Sequence, residues 1–142
     1  MKHAFLGLAL ALAACKSVPT TRLTSLAVEA DPDANAGYAT ELDVVFVFTT
    51  DAAARLPATG PEWFQKRDAL QADLAEAVAV AHVQLPPARS GDVDLPPGYE
   101  KAVGVYSFAN YIPAPGQARA NLTPYPSVTI RLSKDRIAYV QR

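Results

Sequence analysis

The sequence predicts a mainly β fold, a two-sheet β-sandwich with one inserted helix. Three observations lead there. Short apolar segments recur along the chain, most with a side-chain period of two, divided by turns drawn from 12 prolines and 7 glycines. One segment, ELDVVFVFT from Glu41 to Thr49, is apolar on both faces, so it belongs centrally in a sheet with material packed on each side. Only one segment, between the second and third strands, has convincing helical spacing.

The elements follow in order. Leu26, Val28 and Ala30 alternate with Ala27 and Glu29, which is strand periodicity. ADPDANAGYA, Ala30 to Ala39, is dense in turn residues and is expected to be a loop. In the second strand Leu42, Val44, Phe46 and Phe48 share one face, and Val45 and Val47 thicken the other. A helix is expected from about Gly60 to Ala72 or beyond. Thr59 and Glu62 match a capping box, and Pro61 suits a first turn, where its missing N–H has no partner to lose. Trp63, Arg67, Leu70 and Leu74, widened by Phe64, form one face, while Glu62 and Lys66 can pair on the exposed side. The helix is expected across one end or edge of the sandwich, its Trp63 face capping the core. VAVAHVQL, Val78 to Leu85, is again a strand, ended by Pro86-Pro87. A polar loop follows, with a short strand expected at Asp92–Leu95, then a turn at Pro97-Gly98. Lys101 to Tyr111 is a strand with Val103 and Val105 opposite Tyr106 and Phe108. After the loop IPAPGQARA, the segments SVTIRLS and RIAYVQ form a terminal hairpin around Lys134-Asp135. Val128, Ile130 and Leu132 lie across from Ile137 and Tyr139.

The amino terminus argues for a compartment. Met1-Lys2-His3 is a short positive head before eleven apolar or small residues, Ala4 to Ala14. That run is too short to span a bilayer, which needs about 20 residues of helix. Head, run and small residues read as a secretory signal. The stretch LAAC, Leu12 to Cys15, resembles the bacterial lipobox, in which the cysteine is acylated and becomes the first mature residue. Residues 1–14 are then signal peptide, 15–22 a lipidated tether and 23–142 the β-sandwich domain. Lipid on Cys15 anchors the chain to a membrane without spanning it, since two or more acyl chains hold firmly. Lys16 and Ser17 follow in place of the aspartate that retains such proteins in the inner membrane, so the resemblance places the anchor in the outer membrane. Acylation also removes the one thiol from disulfide, metal or nucleophilic chemistry.

Thirteen basic and 14 acidic side chains give a formal net charge of −1, with no charge block and no basic stripe for nucleic acid. His82 is the one histidine beyond the signal, and a strand histidine satisfied by hydrogen bonds explains it better than a metal or catalytic role. Asp31, Asp33 and Asn35 form D-x-D-x-N. A calcium loop of the EF-hand type wants glycine sixth and an acid twelfth, where this chain has Ala36 and Leu42, so turn formation accounts for the pattern. Asp92 and Asp94 read as solvated charges. Arg67 lies on the apolar helix face, its stem burying while its head reaches an acid or the Trp63 indole. No nucleophile elbow, P-loop or dinucleotide fingerprint occurs. The residues therefore predict no enzyme and no cofactor.

A family likeness runs through these blocks in order: LAAC, then LAVEA, DPDANAG, ELDVVFVF, EWFQKR, a strand ending in LPP, and YEKAVGVYSFANYI. Together they resemble the TssJ family, the small lipoprotein of the type VI secretion system. The resemblance implies a transthyretin-like β-sandwich with an added helix and no catalysis. It implies a place on the inner leaflet of the outer membrane. It also implies binding to the periplasmic domain of a large inner-membrane protein, TssM. In that family the loop between the first two strands binds the partner. By position this is Asp31 to Thr40, with Asp31, Asp33, Asn35 and Tyr38 as candidate contacts. The competing expectation is a periplasmic ligand-binding or inhibitor lipoprotein on the same sandwich, with an apolar pocket lined by Tyr106, Phe108 and Tyr111.

Overall fold

A computed structural model describes residues 15–142; the expected signal segment, residues 1–14, lies outside the described residues. Among the described residues, eight strands and two α-helices follow in order: β1 Ser25–Ala30, β2 Thr40–Val47, α1 Thr50–Arg55, α2 Gly60–Leu74, β3 Val78–Leu85, β4 Ser90–Asp92, β5 Gly104–Ala109, β6 Ala120–Asn121, β7 Ser127–Leu132 and β8 Ile137–Gln141. They make two four-stranded sheets, ordered β4-β1-β7-β8 and β3-β2-β5-β6. The predicted mainly β sandwich with an inserted helix is what forms. β1 runs parallel to β7 and antiparallel to β4, and every pairing in the other sheet is antiparallel.

The period-two pattern of β2 explains how the layers stack. Leu42, Val44 and Phe46 point between the sheets and join Leu26, Val28, Val105, Ile130 and Leu132 in the main core. Val45 and Val47 point the other way and join Ala52, Leu56, Trp63 and Phe108 in a second core. The strand is therefore covered on both faces, as its composition requires. The terminal hairpin keeps the expected register, with Ile130 opposite Tyr139 and Leu132 opposite Ile137.

The helix departs from the expected placement. α2 lies on the outer face of the β3-β2-β5-β6 sheet, and Trp63 seals the second core instead of capping the first. The reason is the odd-numbered face of β2 and the even-numbered face of β5, which supply apolar surface that needs cover. Trp63 stacks on Phe108 with ring centroids 5.0 Å apart and planes 18° from parallel, which adds roughly 0.5–1.5 kcal/mol beyond the area buried. The helix starts where expected. The Thr59 hydroxyl accepts from the Glu62 N–H at 3.3 Å, and Pro61 sits in the first turn. Glu62 pairs with Lys66 at 2.8 Å, a hydrogen bond that holds its carboxyl below the usual range. Gly60 is needed here because a Cβ would fall 1.8 Å from the Ala109 carbonyl oxygen. The helix runs on to Leu74, two residues past Ala72, as the open-ended expectation allowed.

Other boundaries shift for local reasons. α1 was not expected. It is a six-residue turn capped by Thr49, whose hydroxyl accepts from the Ala52 N–H at 3.1 Å, and its small alanine face gives little periodic signal. The short strand expected at Asp92–Leu95 lies earlier, at Ser90–Asp92, where backbone pairing with β1 sets it rather than any apolar side chain. The strand expected from Lys101 to Tyr111 is confined to Gly104–Ala109. Tyr99–Lys101 is a 3-10 turn after Gly98, whose φ of 76° the missing side chain permits, and Val103 packs on the helix side. β6 forms within residues expected to be loop or connector.

Candidate functional site

The loop after β1 and the segment after β5 meet at one pole of the sandwich. Residues 35–37 are all left-handed, with φ of 51°, 55° and 88° at Asn35, Ala36 and Gly37. Asn tolerates that region and Gly prefers it, whereas Ala is strained there. The conformation persists because the surroundings bond it from several sides. The Asn35 N–H donates to the Ser133 carbonyl at 3.0 Å and to the Tyr111 hydroxyl at 3.1 Å. The Ala36 N–H donates to the Lys134 carbonyl at 3.0 Å. Asn35 Oδ1 accepts from the Ile112 N–H at 2.8 Å, and Nδ2 donates to the Asn110 and Ala39 carbonyls at 3.4 and 3.5 Å. Tyr111 donates its proton to the Ser133 carbonyl, and burial raises its phenol above the usual range, so it stays a donor. Gly116 lies under that ring, where a Cβ would meet Cδ1 at 2.0 Å.

Four residues named as candidate contacts are thereby sorted. Asn35 is 1% exposed and serves as the clasp between the loop and residues 110–112, not as an outward contact. Asp31 is half-buried, accepting from the Ser133 hydroxyl at 3.0 Å and facing Arg131 at 3.6 Å. Asp33 is exposed, and Tyr38 is 64% exposed. D-x-D-x-N makes no oxygen cage, because Asp31 bonds Ser133 and Asn35 turns inward. Sequence reasoning missed Ile112, 59% exposed beside the same clasp. Two exposed large apolar side chains thus ride on backbone that hydrogen bonds hold in place.

The tether enters at the other pole. Cys15 to Thr20 are exposed and outside any regular element. From Thr21 the domain grips the chain: Thr21 N–H donates to the Ala102 carbonyl at 2.7 Å and Arg22 N–H to the Thr123 carbonyl at 3.0 Å. β1 then carries the chain from this end to the loop, a run of about 20 Å for six residues. Among the described residues no helix is long and apolar enough to cross a membrane.

A second polar cluster sits beneath α2. Asp43 is 1% exposed, and its carboxylate accepts from Trp63 Nε1 at 2.8 Å and from Arg67 Nη1 at 3.2 Å, with His82 Nδ1 at 2.5 Å on its other oxygen. A groove of about 260 Å³ opens beside it, lined by Asp43, Arg67, Asp68, Gln71, Val80 and His82. This lining supplies an acid–imidazole pair but no hydroxyl or thiol for it to activate. Both Asp43 oxygens are already occupied, so the cluster ties α2 to the sheet. His82 and Arg67 are placed as expected, one satisfied by a hydrogen bond and the other reaching an acid while lying 5.0 Å over the Phe64 ring. Asp43 itself was not singled out, since it occupies a polar slot in an otherwise apolar strand. Among the described residues no three or more His, Cys, Asp or Glu side chains are grouped to hold a metal. Asp92 and Asp94 are exposed. Tyr106, Phe108 and Tyr111 line no common pocket: Tyr106 faces Arg119 at 5.0 Å, Phe108 stacks on Trp63, and Tyr111 is bonded into the pole.

No protein-family model matches the sequence, and no curated protein is significantly similar to it. Solved structures do share its fold. The type VI secretion lipoprotein TssJ1 from Pseudomonas aeruginosa superposes with a TM-score of 0.65 at 18% identity, covering 87% of this chain and 98% of that one. Serratia marcescens Lip, a membrane-bound component of the type VI secretion system, gives 0.57 at 15% identity over 83% and 96%. A chain in the structure of the TssM C-terminal domain from EAEC gives 0.55 at 15% identity over 83% and 97%. The chain therefore has the fold of the TssJ lipoproteins.

Proposed function

We propose that this chain is a structural lipoprotein of a type VI secretion membrane complex. Acyl chains on Cys15 hold it to the periplasmic face of the outer membrane. The pole built from residues 31–39 and 110–113 binds the periplasmic domain of a TssM-like inner-membrane protein. One observation carries the reading: tether and clasped loop lie at opposite ends of β1. An anchor at one pole leaves the other facing away from the lipid. The tether, six residues at up to about 3.5 Å each, lets the domain stand off the bilayer by roughly 20 Å at most. Tyr38 and Ile112 are the apolar anchors, and Asp33 and the exposed backbone around Gly37 form the rim. The shared fold with TssJ1 and Lip supports the assignment.

Cys15→Ser separates anchoring from folding. The substitution should abolish incorporation of labelled palmitate and move the protein from the membrane to the soluble fraction, with an unchanged thermal midpoint because residue 15 is exposed and lies outside the domain. The wild-type protein extracted in mild detergent should co-purify with an inner-membrane polypeptide. Persistence of unlabelled Cys15→Ser in the membrane fraction would overturn the anchor, and recovery of the wild type alone would overturn the bridge.

A further inference from the structure

We infer that β3 is a docking edge for an extended segment of another polypeptide, one that carries a basic side chain on the face covered by α2. The sandwich has four sheet edges, and three are blunted. β4 is three residues long, β6 is two, and β8 is five and runs into Arg142, which reaches Glu29 at 3.5 Å. β3 is eight residues long and pairs with β2 in unbroken register without a bulge. It contains no lysine and no proline before Pro86. Those are the devices by which proteins usually protect an edge.

The direction of its backbone groups follows from its neighbours. Residues of an antiparallel strand bond alternately to one side and the other. In β2 the Glu41 and Val47 carbonyls accept from Asn110 and Val103 on the β5 side, while Phe48 N–H donates to the Ala77 carbonyl on the β3 side. Leu42, Val44 and Phe46 therefore bond β3, through Val83, Ala81 and Ala79. Val78, Val80, His82 and Gln84 turn their backbone groups outward. The Val78 N–H is taken by the Ala75 carbonyl. Among the described residues none bonds the N–H of Val80, His82 or Gln84. An incoming strand finds three donors in a row, spaced two residues apart, which is the pattern a fifth strand needs.

Charge selects the occupant. The side chains of Val80 and His82 face the groove beneath α2, which Asp43, Arg67 and Asp68 also line. Glu41 lies 3.8 Å from Arg67, so three carboxylates surround one guanidinium. Lysine or arginine on the added strand, opposite His82, meets this excess of negative charge. A second copy fits less well. Antiparallel pairing of β3 with itself sets the two α2 helices side by side on one face, carboxylate toward carboxylate.

The test uses the full chain and the peptide Thr-Val-Thr-Lys-Thr-Val-Thr, capped at both ends, with Glu in place of Lys as its partner. At millimolar peptide, the Lys form should slow hydrogen exchange at Val80, His82 and Gln84 and bind more tightly than the Glu form. Asp68→Lys, at a side chain 99% exposed, should leave folding intact and weaken the Lys peptide roughly fivefold. N-methylation of the peptide's edge-facing amides should abolish protection. The proposal is overturned by an absence of protection, by equal binding of the methylated peptide, or by concentration-dependent self-association protecting the same amides without peptide. The docking pole around Tyr38 plays no part in this readout, so the two proposals stand or fall separately.

Discussion

Asp43→Ala should destabilise the domain by about 3–5 kcal/mol, the largest effect of any single polar substitution considered for this chain. The carboxylate is buried at the centre of β2 and holds three groups from two other elements: Trp63, Arg67 and His82. Its removal strands the Trp63 N–H beneath α2 and leaves a half-buried guanidinium with only the weaker Glu41 and Asp68 contacts. An ion pair of this kind adds little net stability when intact, because desolvation offsets the attraction, but breaking it on one side is costly. Asp43→Asn keeps an acceptor for the indole and should lose less, about 1–3 kcal/mol. Urea unfolding of the three proteins measures the order. An Asp43→Ala protein as stable as wild type would mean that α2 is held by the Trp63–Phe108 stack and the surrounding apolar contacts alone.

Asn35→Ala should cost about 2–4 kcal/mol, and it should damage partner binding more than that figure implies. The side chain is the acceptor for the Ile112 N–H and a donor to Asn110 and Ala39, and the backbone at φ 51° tolerates asparagine better than alanine. Losing it unfastens the loop from residues 110–112, so Tyr38 and Ile112 no longer share one rigid base. Ordering them again falls on the binding step, which weakens the complex. Asn35→Asp keeps the acceptor and tolerates the left-handed region, so it should fall between the two. Hydrogen exchange at Ile112 reports the clasp directly: fast in Asn35→Ala, slow in wild type.

How much of this could be read beforehand depended on whether a residue's role was local. β2 announced its central place because both of its faces are apolar within one segment. The start of α2 was legible because capping is decided within four residues, from Thr59 to Glu62. The layer that α2 occupies was not, because it depends on apolar surface supplied jointly by β2 and β5, distant in sequence. The same limit hid the clasp. DPDANAGYAT announced a turn, and its asparagine looked like an outward contact; only the approach of residues 110–112 and 133–134 turns Asn35 inward. Asp43 was masked by the alternation that made the strand recognisable. Ile112 was masked by its setting in a proline-rich connector, where one apolar residue carries no periodic signal. For Arg67 and His82 the expected hydrogen-bonding partners are present, because each lies on the face where α2 and the sheet meet, and polar groups in such places most often find a partner nearby.

Anchor, sandwich and clasped loop make one mechanical account. In the proposed arrangement the tether sets where the domain sits, the two cores keep β1 and β2 rigid, and the pole opposite the tether would present Tyr38 and Ile112 to a protein. Photo-crosslinking in intact cells tests it most directly, with a photoreactive residue placed in turn at Tyr38, at Ile112 and at Gln141, which is exposed at the tether pole. The account predicts that Tyr38 and Ile112 trap an inner-membrane polypeptide and that Gln141 does not. Adducts from Gln141 alone, or none from any position, would contradict it.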